Sequence, residues 1–455
     1  AGPRFGGKDL LQKAKECGGL RHKLPLPPCA SRRNPSAFWS DDCAFARQAT
    51  QGCHPCHLRV LRADTWPSKT FRALQHVRGV GVGADPTTSG KLQRLLPFGR
   101  TLQEECELGR VFSVDYRAEL ECITSVPPLG VSPDRWHVPK PAALYYCGVD
   151  PGGRERATLP RNLVVVAVNL EPDAEDGGEV FTLDDNAQEW ALAKAHVACA
   201  DAQVHLVCSW YFRTQVCMEP AAVAMRRNMS TMHPVYKLLR PYLRHLVPVC
   251  AEARASLTGD SGIFPAVLAV GDQVERLCQE DYKRWMIQTT GLPFDLESRG
   301  FTGEETLEDY PYRDDGKLIW RALFAYVGDY LGEYYKEDKE VRRDTELMAW
   351  WQEFTQVGFP GYAWGDLADI DDVPELQFVL TTIMWTCGPQ SSALSTSMYD
   401  AYAFPPARPV ALRGLPHRRG DIAETPDASG SFEAFLERMP DKSSSAVMAG
   451  GAQTG

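Results

Sequence analysis

The pentapeptide Cys53-His54-Pro55-Cys56-His57 places two thiols and two imidazoles within five residues. Its C-x-x-C-H spacing is that of the c-type haem attachment motif, in which both thiols bond to the porphyrin and the histidine binds the iron. We expect no haem here, because the sequence offers no identifiable second axial ligand. A disulfide, a zinc contact with Cys29 or Cys43, and plain packing of the thiols stay open as interpretations.

Histidine is the other residue type that could bind a metal or transfer protons, and the chain contains ten. His205 lies within an apolar segment of helical periodicity. His196 lies nine residues before it, which puts the two side chains on opposite faces of an α-helix. His196 is therefore not placed to complete a ligand set with His205.

Motifs of other enzyme classes are missing from the sequence. It contains no G-x-S-x-G nucleophile elbow, no G-x-x-x-x-G-K-[ST] phosphate loop and no H-E-x-x-H zinc helix. The glycine-rich run at residues 79–83 lacks the helix and the acidic residue that follow it in a dinucleotide-binding fold. The sequence therefore indicates no alternative catalytic site.

Composition and charge are those of a globular protein. The chain has 455 residues, of which 44% are hydrophobic, and 59 acidic against 49 basic side chains give a formal charge of -10. Such a charge argues against a nucleic-acid partner, which would require clustered basic residues. The longest aliphatic run, Leu163 to Val168, is too short for a transmembrane helix. The 14 cysteines are mostly isolated in apolar stretches, which favours a reducing compartment over secretion.

Periodicity divides the chain into four parts. Residues 1–38 are rich in Pro, Gly and Arg and predict an extended N-terminal arm. Short alternating segments between about 144 and 183 predict a few antiparallel strands. From about 187 to 402 apolar residues recur at spacings of three and four, which predicts long packed helices. The composition of residues 405–455 predicts a weakly structured, low-complexity tail.

An ordered series of short motifs runs from about residue 35 to residue 410. Its central members are Trp190-Ala-Leu-Ala-Lys194, Ala200-Asp-Ala-Gln-Val-His205, Glu219-Pro220 and His233-Pro-Val-Tyr-Lys-Leu-Leu239. Its outer members include Trp39-Ser-Asp-Asp42, Gly52, Pro55, Tyr312-Arg-Asp-Asp315, Gly358-Phe-Pro360, Trp385-Thr-Cys387 and Tyr399-Asp400. This succession resembles the catalytic domain of lipoxygenases, particularly of the animal type.

The resemblance implies a mainly α fold: a lipoxygenase-like helical catalytic domain over residues 39–404, with the small antiparallel β subregion inside it. The family's N-terminal β-sandwich domain and the last stretch of its catalytic domain find no match in the sequence, so we expect neither. Family members oxygenate polyunsaturated fatty acids at a non-haem iron. That iron is held by two histidines five residues apart, by a third histidine with a His, Asn or Ser four residues later, and by a terminal Ile carboxylate.

Matching those ligand positions to this sequence gives an incomplete set. His205 takes the first position, but Trp210 takes the second, and an indole has no lone pair for a metal. Counted from Cys387, the third and fourth positions fall on Ser391 and Ser395. Because one imidazole and neutral hydroxyls bind ferrous iron poorly, we expect the iron to have been lost.

Several of these positions allow a second interpretation. His205 is either a former ligand that still binds some metal or a buried, hydrogen-bonded core histidine. We expect Trp210 to fill the volume that iron and its water occupy in the family. Ala253 matches a position that shapes oxygen access, and Glu252 stands where some members carry a basic residue for the fatty-acid carboxylate, so both are candidate channel positions.

The resemblance and the incomplete ligand set together suggest a catalytically inactive lipoxygenase-like protein. It would act as a structural or accessory subunit of a larger assembly, in an organelle (mitochondrion or plastid) rather than in the cytosol. Protein subunits are then the expected partners; a fatty acid or lipid and peripheral membrane contact stay open. The alternatives are an active or residual fatty-acid dioxygenase and a non-catalytic lipid-binding module.

Overall fold

The computed structural model describes residues 41–80, 84–85, 89–124, 136–148, 163–303, 307–362, 364–414, 418–420, 437–440, 444–445 and 447–448. The predicted N-terminal arm lies outside these residues. An antiparallel sheet of five strands has the order β1-β2-β4-β5-β6, and β3 pairs with β7 in a second, two-stranded sheet. The strands are β1 Arg59–Val60, β2 Val111–Asp115, β3 Trp136–His137, β4 Ala142–Cys147, β5 Leu163–Asn169, β6 Val180–Thr182 and β7 Leu412–Arg413.

Helices make up most of the rest. Those of the first half are α1 Asp42–Gln51, α2 Lys69–Ala73, α3 Lys91–Leu95, α4 Leu102–Glu107, α5 Arg117–Leu120, α6 Ala187–Gln203, α7 Glu219–Asn228 and α8 Pro234–Leu243. Those of the second half are α9 Leu246–Ala253, α10 Ile263–Val267, α11 Val274–Arg284, α12 Ile287–Thr290, α13 Leu292–Ser298, α14 Pro311–Tyr334, α15 Asp338–Arg343, α16 Thr345–Gln352, α17 Val373–Trp385, α18 Ser391–Ser395 and α19 Met398–Tyr402.

Short segments of other helical types interrupt or extend these helices. The π-helical segments are Val204–Arg213, Arg254–Thr258, Glu353–Val357 and Thr386–Gln390, each continuing directly from an α-helix. The 3₁₀ turns are Leu74–His76, Val216–Met218, Gly271–Gln273 and Gly365–Leu367. The prediction of a mainly α fold with a small antiparallel region near 144–183 is confirmed, and the sheet also takes in β1 and β2 from earlier in the chain.

Helix α6 lies in the middle of the molecule and is buried on nearly all sides. Its start is capped by the Asn186 side chain, which accepts from the backbone N–H of Gln188. Lys194 is buried within it and donates to the Asp42 carboxylate at 2.7 Å, so the ion pair joins α6 to the start of α1. Trp190 donates to the same carboxylate from one turn earlier.

Residues 405–414, which belong to the predicted tail, pack into the body of the molecule. Val410, Ala411 and Leu412 are buried, and Leu412 pairs with His137 in the second sheet. The buried Gln203 amide donates to the Val410 carbonyl at 2.8 Å. The middle of this segment therefore belongs to the core of the helical domain. Within the described residues, no helix is long and apolar enough to cross a membrane.

Candidate functional site

His205 lies on the π-helix Val204–Arg213 and is fully buried. Its Nε2 is 2.9 Å from the Leu394 carbonyl oxygen, and its Nδ1 is 2.6 Å from the Tyr402 hydroxyl. A carbonyl oxygen can only accept, so Nε2 carries a proton and donates it to Leu394. Nδ1 then accepts a hydrogen bond from the Tyr402 hydroxyl. Neither ring nitrogen offers a lone pair to a metal ion.

The other predicted ligand positions are close in sequence to this contact but do not converge on it. Trp210 is half-buried on the same π-helix, and its ring meets that of Phe264 edge-on, with centroids 6.5 Å apart. Ser391 and Ser395 begin and end the short helix α18, and the Ser395 hydroxyl donates to the Ser391 carbonyl at 2.8 Å. The group that reaches His205 from α18 is a main-chain carbonyl, not a hydroxyl or the indole.

These residues do not fit the iron centre of the family that the sequence resembles. A catalytic metal site of this type requires three or more strong donors and open positions for water or dioxygen. Around His205 the donors are hydrogen-bonded to the protein. Among the residues that the structure describes, no group of three or more His, Cys, Asp or Glu side chains is arranged to hold a metal ion.

The Cys53–His57 segment follows α1 and does not have the geometry of a haem attachment site. The Cys53 thiol donates to the Tyr402 hydroxyl at 3.8 Å. The Cys56 thiol instead interacts electrostatically with the charges of Asp295 and Arg299. The His57 ring stacks on Tyr116, with centroids 4.5 Å apart, and its Nε2 donates to the Asp115 carbonyl. Cys43, Cys53 and Cys56 form no disulfide bond. Cys29 lies outside those segments.

His54 forms a buried chain of hydrogen bonds that the sequence did not reveal. Its Nδ1 is 2.6 Å from Asp201 Oδ1, and its Nε2 is 2.9 Å from the Ser209 hydroxyl. The same Asp201 oxygen accepts from the Tyr116 hydroxyl at 2.7 Å. Asp201 is on α6 and Ser209 is on the π-helix that continues it, so the continuous helix sets their spacing along one side of the imidazole.

Arg408 supplies the positive charge of this network. It is 4% exposed, and its guanidinium pairs with Asp201 Oδ2, while its Nη1 donates to the Gln48 side chain at 3.3 Å. Its carbon lies 5.5 Å from the centre of the Tyr402 ring, within cation–π range. Arg408 comes from the segment that the sequence assigned to the tail, and no periodicity or motif there marked it as a core residue.

Burial and the Arg408 charge shift the pKa values of the neighbouring groups. Burial alone disfavours the Cys53 thiolate, but Arg408 and His205 outweigh it and lower the pKa of Cys53 to about 6. Burial holds the pKa of His54 well below its usual value, and His205, His57 and Arg408 act in the same direction. His54 is therefore neutral at physiological pH: its Nδ1 donates to Asp201 and its Nε2 accepts from Ser209.

Hydrogen bonds link Ser209, His54 and Asp201 in the order of the nucleophile, base and carboxylate of a catalytic triad. All three side chains, however, are enclosed by the protein. The three residues are 4%, 3% and 8% exposed. The adjoining cavity, which is bordered by His57 and Arg408, has a volume of about 20 Å³, enough for a single water molecule. Among the residues that the structure describes, the Ser209 hydroxyl is thus enclosed by the protein.

The candidate channel positions lie at the end of α9. Glu252 is exposed to solvent, and Ala253 is buried where the π-helix Arg254–Thr258 begins. The following Arg254 forms a two-bond ion pair with Glu219, at 2.5 and 2.9 Å. Glu252 and Ala253 therefore lie next to Arg254, an arginine whose side chain is held by an ion pair with Glu219.

Comparisons with known proteins agree with this architecture. The lipoxygenase family model matches residues 157–449. "Lipoxygenase 6, chloroplastic" from Arabidopsis thaliana is 31% identical over 83% of this chain and 41% of its own length. "Linoleate 9S-lipoxygenase 1" from Hordeum vulgare is 30% identical over 96% of this chain and 49% of its own length. Both are plant proteins, so the sequence comparison does not single out the animal type.

Solved lipoxygenase structures share the fold. A coral 8R-lipoxygenase superposes with a TM-score of 0.77 at 23% identity, covering 98% of this chain and 60% of that one. A calcium-dependent 11R-lipoxygenase gives 0.75 at 24% identity, covering 99% and 60%. The chain spans less than half the length of the two curated relatives named above. A family model that matches most of the chain, relatives of about 30% identity and a shared fold show that this chain belongs to the lipoxygenase family.

Proposed function

We propose that this chain is a catalytically inactive member of the lipoxygenase family that acts as a structural or accessory subunit. One observation carries the proposal: the Leu394 carbonyl accepts a hydrogen bond from His205 Nε2 at 2.9 Å, so both nitrogens of the one imidazole at a family ligand position are used within the protein. Trp210, Ser391 and Ser395 at the remaining positions supply no replacement nitrogen.

The buried network supports the same proposal from a second direction. A metal centre normally balances buried polar groups with its own positive charge. Here the Arg408 guanidinium supplies that charge and holds the Asp201 carboxylate, which in turn binds His54 and Tyr116. In this network the positive charge therefore comes from a side chain of the protein.

Family membership supports the alternative function, a fatty-acid dioxygenase of the lipoxygenase type. The relatives are about twice as long as this chain, so a longer chain could supply further ligands. Even with those ligands, Trp210 and Ser391 would still occupy two of the positions that bind iron in the family.

For the compartment we propose a plastid. The support is that Arabidopsis relatives such as "Lipoxygenase 4, chloroplastic" carry that compartment in their names. In this proposal the partners are other protein subunits of the same organelle. Copurification from isolated plastids tests it: the chain should migrate within a larger complex, and a monomeric protein found only in the cytosolic fraction would contradict it.

Metal analysis of the purified full chain tests the loss of catalysis. We expect far less than one iron per chain and no conjugated-diene absorbance with linoleate or arachidonate, because the donors are absent or engaged. A plant lipoxygenase assayed in parallel serves as the positive control. One iron per chain with turnover of either fatty acid would replace the proposal with the dioxygenase alternative.

A variant that restores the family's donor types sharpens the test. Trp210→His, Ser391→His and Ser395→Asn combined should raise the iron content above that of the wild-type chain, because the donor types that the family uses would then occupy all four helical ligand positions. Equal iron content in both proteins, at either zero or one per chain, would show that these positions do not govern metal binding.

Native mass spectrometry of the same samples would detect a retained acyl chain, the mark of a lipid-binding module.

A further inference from the structure

A cavity of about 280 Å³ lies between the end of the π-helix Val204–Arg213, the start of α7 and the π-helix Glu353–Val357. It is distinct from the small cavity beside His54. For comparison, an apolar cavity of ~150 Å³ takes up benzene. The larger space can therefore hold an alkyl chain or a ring system well beyond the size of benzene.

Three aromatic rings form the wall of this cavity. The Tyr282 ring stacks on that of Phe359, with centroids 5.4 Å apart, and meets the Phe212 ring edge-on at 6.4 Å. The Tyr282 hydroxyl donates to the Gly358 carbonyl at 3.2 Å, which fixes the ring. This wall is formed before any ligand arrives, as is usual for small-molecule sites.

The elements that carry the wall are held in place by contacts behind it. Arg213, next to Phe212, pairs with Asp281, next to Tyr282, through two bonds of 2.8 and 2.5 Å. On the opposite side, Gly358 approaches Pro220 so closely that an added Cβ would lie 2.6 Å from the proline Cβ. Two π-helical segments thus converge on one cavity, and π-helical segments are frequent at functional sites.

The charged groups that line the cavity are carboxylates. Glu219 and Glu353 contribute to the lining, and no lysine, arginine or histidine is among the lining residues that the structure describes. Their ion-pair partners, Arg254 and Arg227, lie to the outside, and the Arg227 side chain is 70% exposed. An anionic head group entering the cavity would meet carboxylate oxygens, whereas a cation would be attracted both by them and by the faces of the rings.

We propose that this cavity binds an organic cation: an alkyl or aromatic group of roughly eight to ten carbons that carries an ammonium head. The chain or ring occupies the space beside Phe212, Tyr282 and Phe359, and the ammonium lies at the rim near Glu219 and Glu353. This site uses no residue of the His205 network, so it is independent of whether the protein is catalytically active.

Calorimetric titration of the full chain with decyltrimethylammonium and with decanoate, both below their micellar concentrations, tests the proposal. The two probes share a ten-carbon chain and differ in the sign of the head group. We expect the cation to bind at least about tenfold more tightly than the anion. Equal affinity, tighter binding of decanoate or no binding of the cation would overturn the proposal.

Substitutions locate the binding. Val357 lines the mouth of the cavity and is 71% exposed, so Val357→Trp should obstruct the mouth without disturbing the core and weaken cation binding at least about tenfold. Val249→Trp, at an exposed position on α9 outside the cavity, is the matched control and should leave binding unchanged. Equal affinities in the two variants would place the binding elsewhere and overturn the proposal.

A second pair of variants tests the charge argument. Glu353→Gln should reduce the preference for the cation over decanoate by at least about fivefold, because one rim carboxylate is lost. Glu275→Gln removes the same charge from an exposed position on α11 and should not change the preference. If both variants reduce it equally, the preference reflects only the net charge of -10, and the proposed site is rejected. Circular dichroism of each variant confirms that it is folded.

Discussion

Arg408 and Asp201 form a buried ion pair on which most of the His54 network depends. The guanidinium is 4% exposed, and the carboxylate that it holds also binds His54 and Tyr116. Removing one partner of such a pair leaves a buried charge without compensation, which costs far more than the loss of a surface ion pair. The pair therefore makes the segment around residue 408 a stabilising part of the fold.

Replacing the arginine tests this. We expect Arg408→Met to lower the free energy of unfolding by ~3–5 kcal/mol, because Asp201 stays buried without its cation, and Arg408→Lys to cost less. Urea denaturation of the three proteins measures the differences. Arg62→Met removes an exposed arginine from its pair with Asp64 and should change stability by only ~0.5 kcal/mol. A loss as small as that for Arg408→Met would contradict the structural role.

Burial of neutral histidines makes the protein sensitive to acid. Burial lowers the pKa of both His54 and His57 from their ordinary 6.5. Below that pH the unfolded chain binds protons on these side chains and the folded chain does not, so stability falls as the pH drops through about 6.5. Each group contributes up to ~1.4 kcal/mol per pH unit below that point.

Urea midpoints measured between about pH 8 and about pH 5 check this slope. His54→Asn should be less stable near neutral pH and show a shallower decline, because one of the two histidines whose pKa is lowered by burial is gone. His245→Asn, at an exposed position, is the control and should keep the wild-type slope. A decline equally steep in all three proteins would assign the acid sensitivity to other groups.

The side chains at the four ligand positions could be read from the sequence, but the group that accepts the hydrogen bond from His205 Nε2 could not. That group is the carbonyl of Leu394, and every residue has a carbonyl, so no residue type marks it. Trp210, which we expected to fill the volume that iron and its water occupy in the family, meets the Phe264 ring edge-on. The sequence shows that a large ring stands at position 210, but it does not show which rotamer the ring adopts.

Among the helices, α8 and α16 are joined at their first residues. His233 caps α8 by accepting from the Val235 N–H, and its Nε2 donates to Asp344 at 2.9 Å. Asp344 caps α16 by accepting from the Leu347 N–H, and it also accepts from the Tyr335 hydroxyl at 2.6 Å. One carboxylate thus satisfies groups on three helices or helix ends.

The pKa of Asp344 reports on this junction. Burial favours the neutral acid, but the bonds from His233, Tyr335 and Leu347 outweigh it and lower the pKa of Asp344 from 3.8 to about 2. Its contribution to stability is therefore complete above about pH 4 and is lost as the pH falls towards about 2.

Asp344→Asn should reduce stability at neutral pH and remove this part of the acid dependence, since an amide does not ionise. Thermal unfolding between about pH 2 and about pH 5 measures both effects. Asp329→Asn, at an exposed position of α14, is the control and should behave as the wild type. If the Asp344→Asn variant keeps the wild-type acid dependence, the junction does not depend on the ionised carboxylate.

The locations of helices and strands were predictable where the hydrophobic period was clear, as in α6 and β5. The π-helical segments were not, since their residues have the same apolar spacing as the α-helices that they continue. The family's ligand spacing of five is the one sequence feature that favours a π-type expansion, and it concerns only His205. The other three segments carried no such signal.

For the whole molecule, the amino-acid composition indicated the structural class reliably, but it did not indicate where the packed part of the chain ends. The acidic balance and the absence of a long apolar run suited a globular helical domain. The same reasoning assigned residues 405–414 to a weakly structured tail because they are rich in Pro, Arg and Ala. Their burial depends on partners hundreds of residues away, such as Gln48 and Gln203, which local composition cannot register.

The Gln203 amide also defines how far the molecule can be shortened. Its nitrogen donates to the Val410 carbonyl and its oxygen accepts from the Val270 N–H, deep in the interior. Proteolysis after residue 404 would remove the Val410 acceptor from this buried amide and withdraw the guanidinium from Asp201 in the same cut. Any minimal version of the protein for crystallisation or partner mapping should accordingly retain its residues through 414.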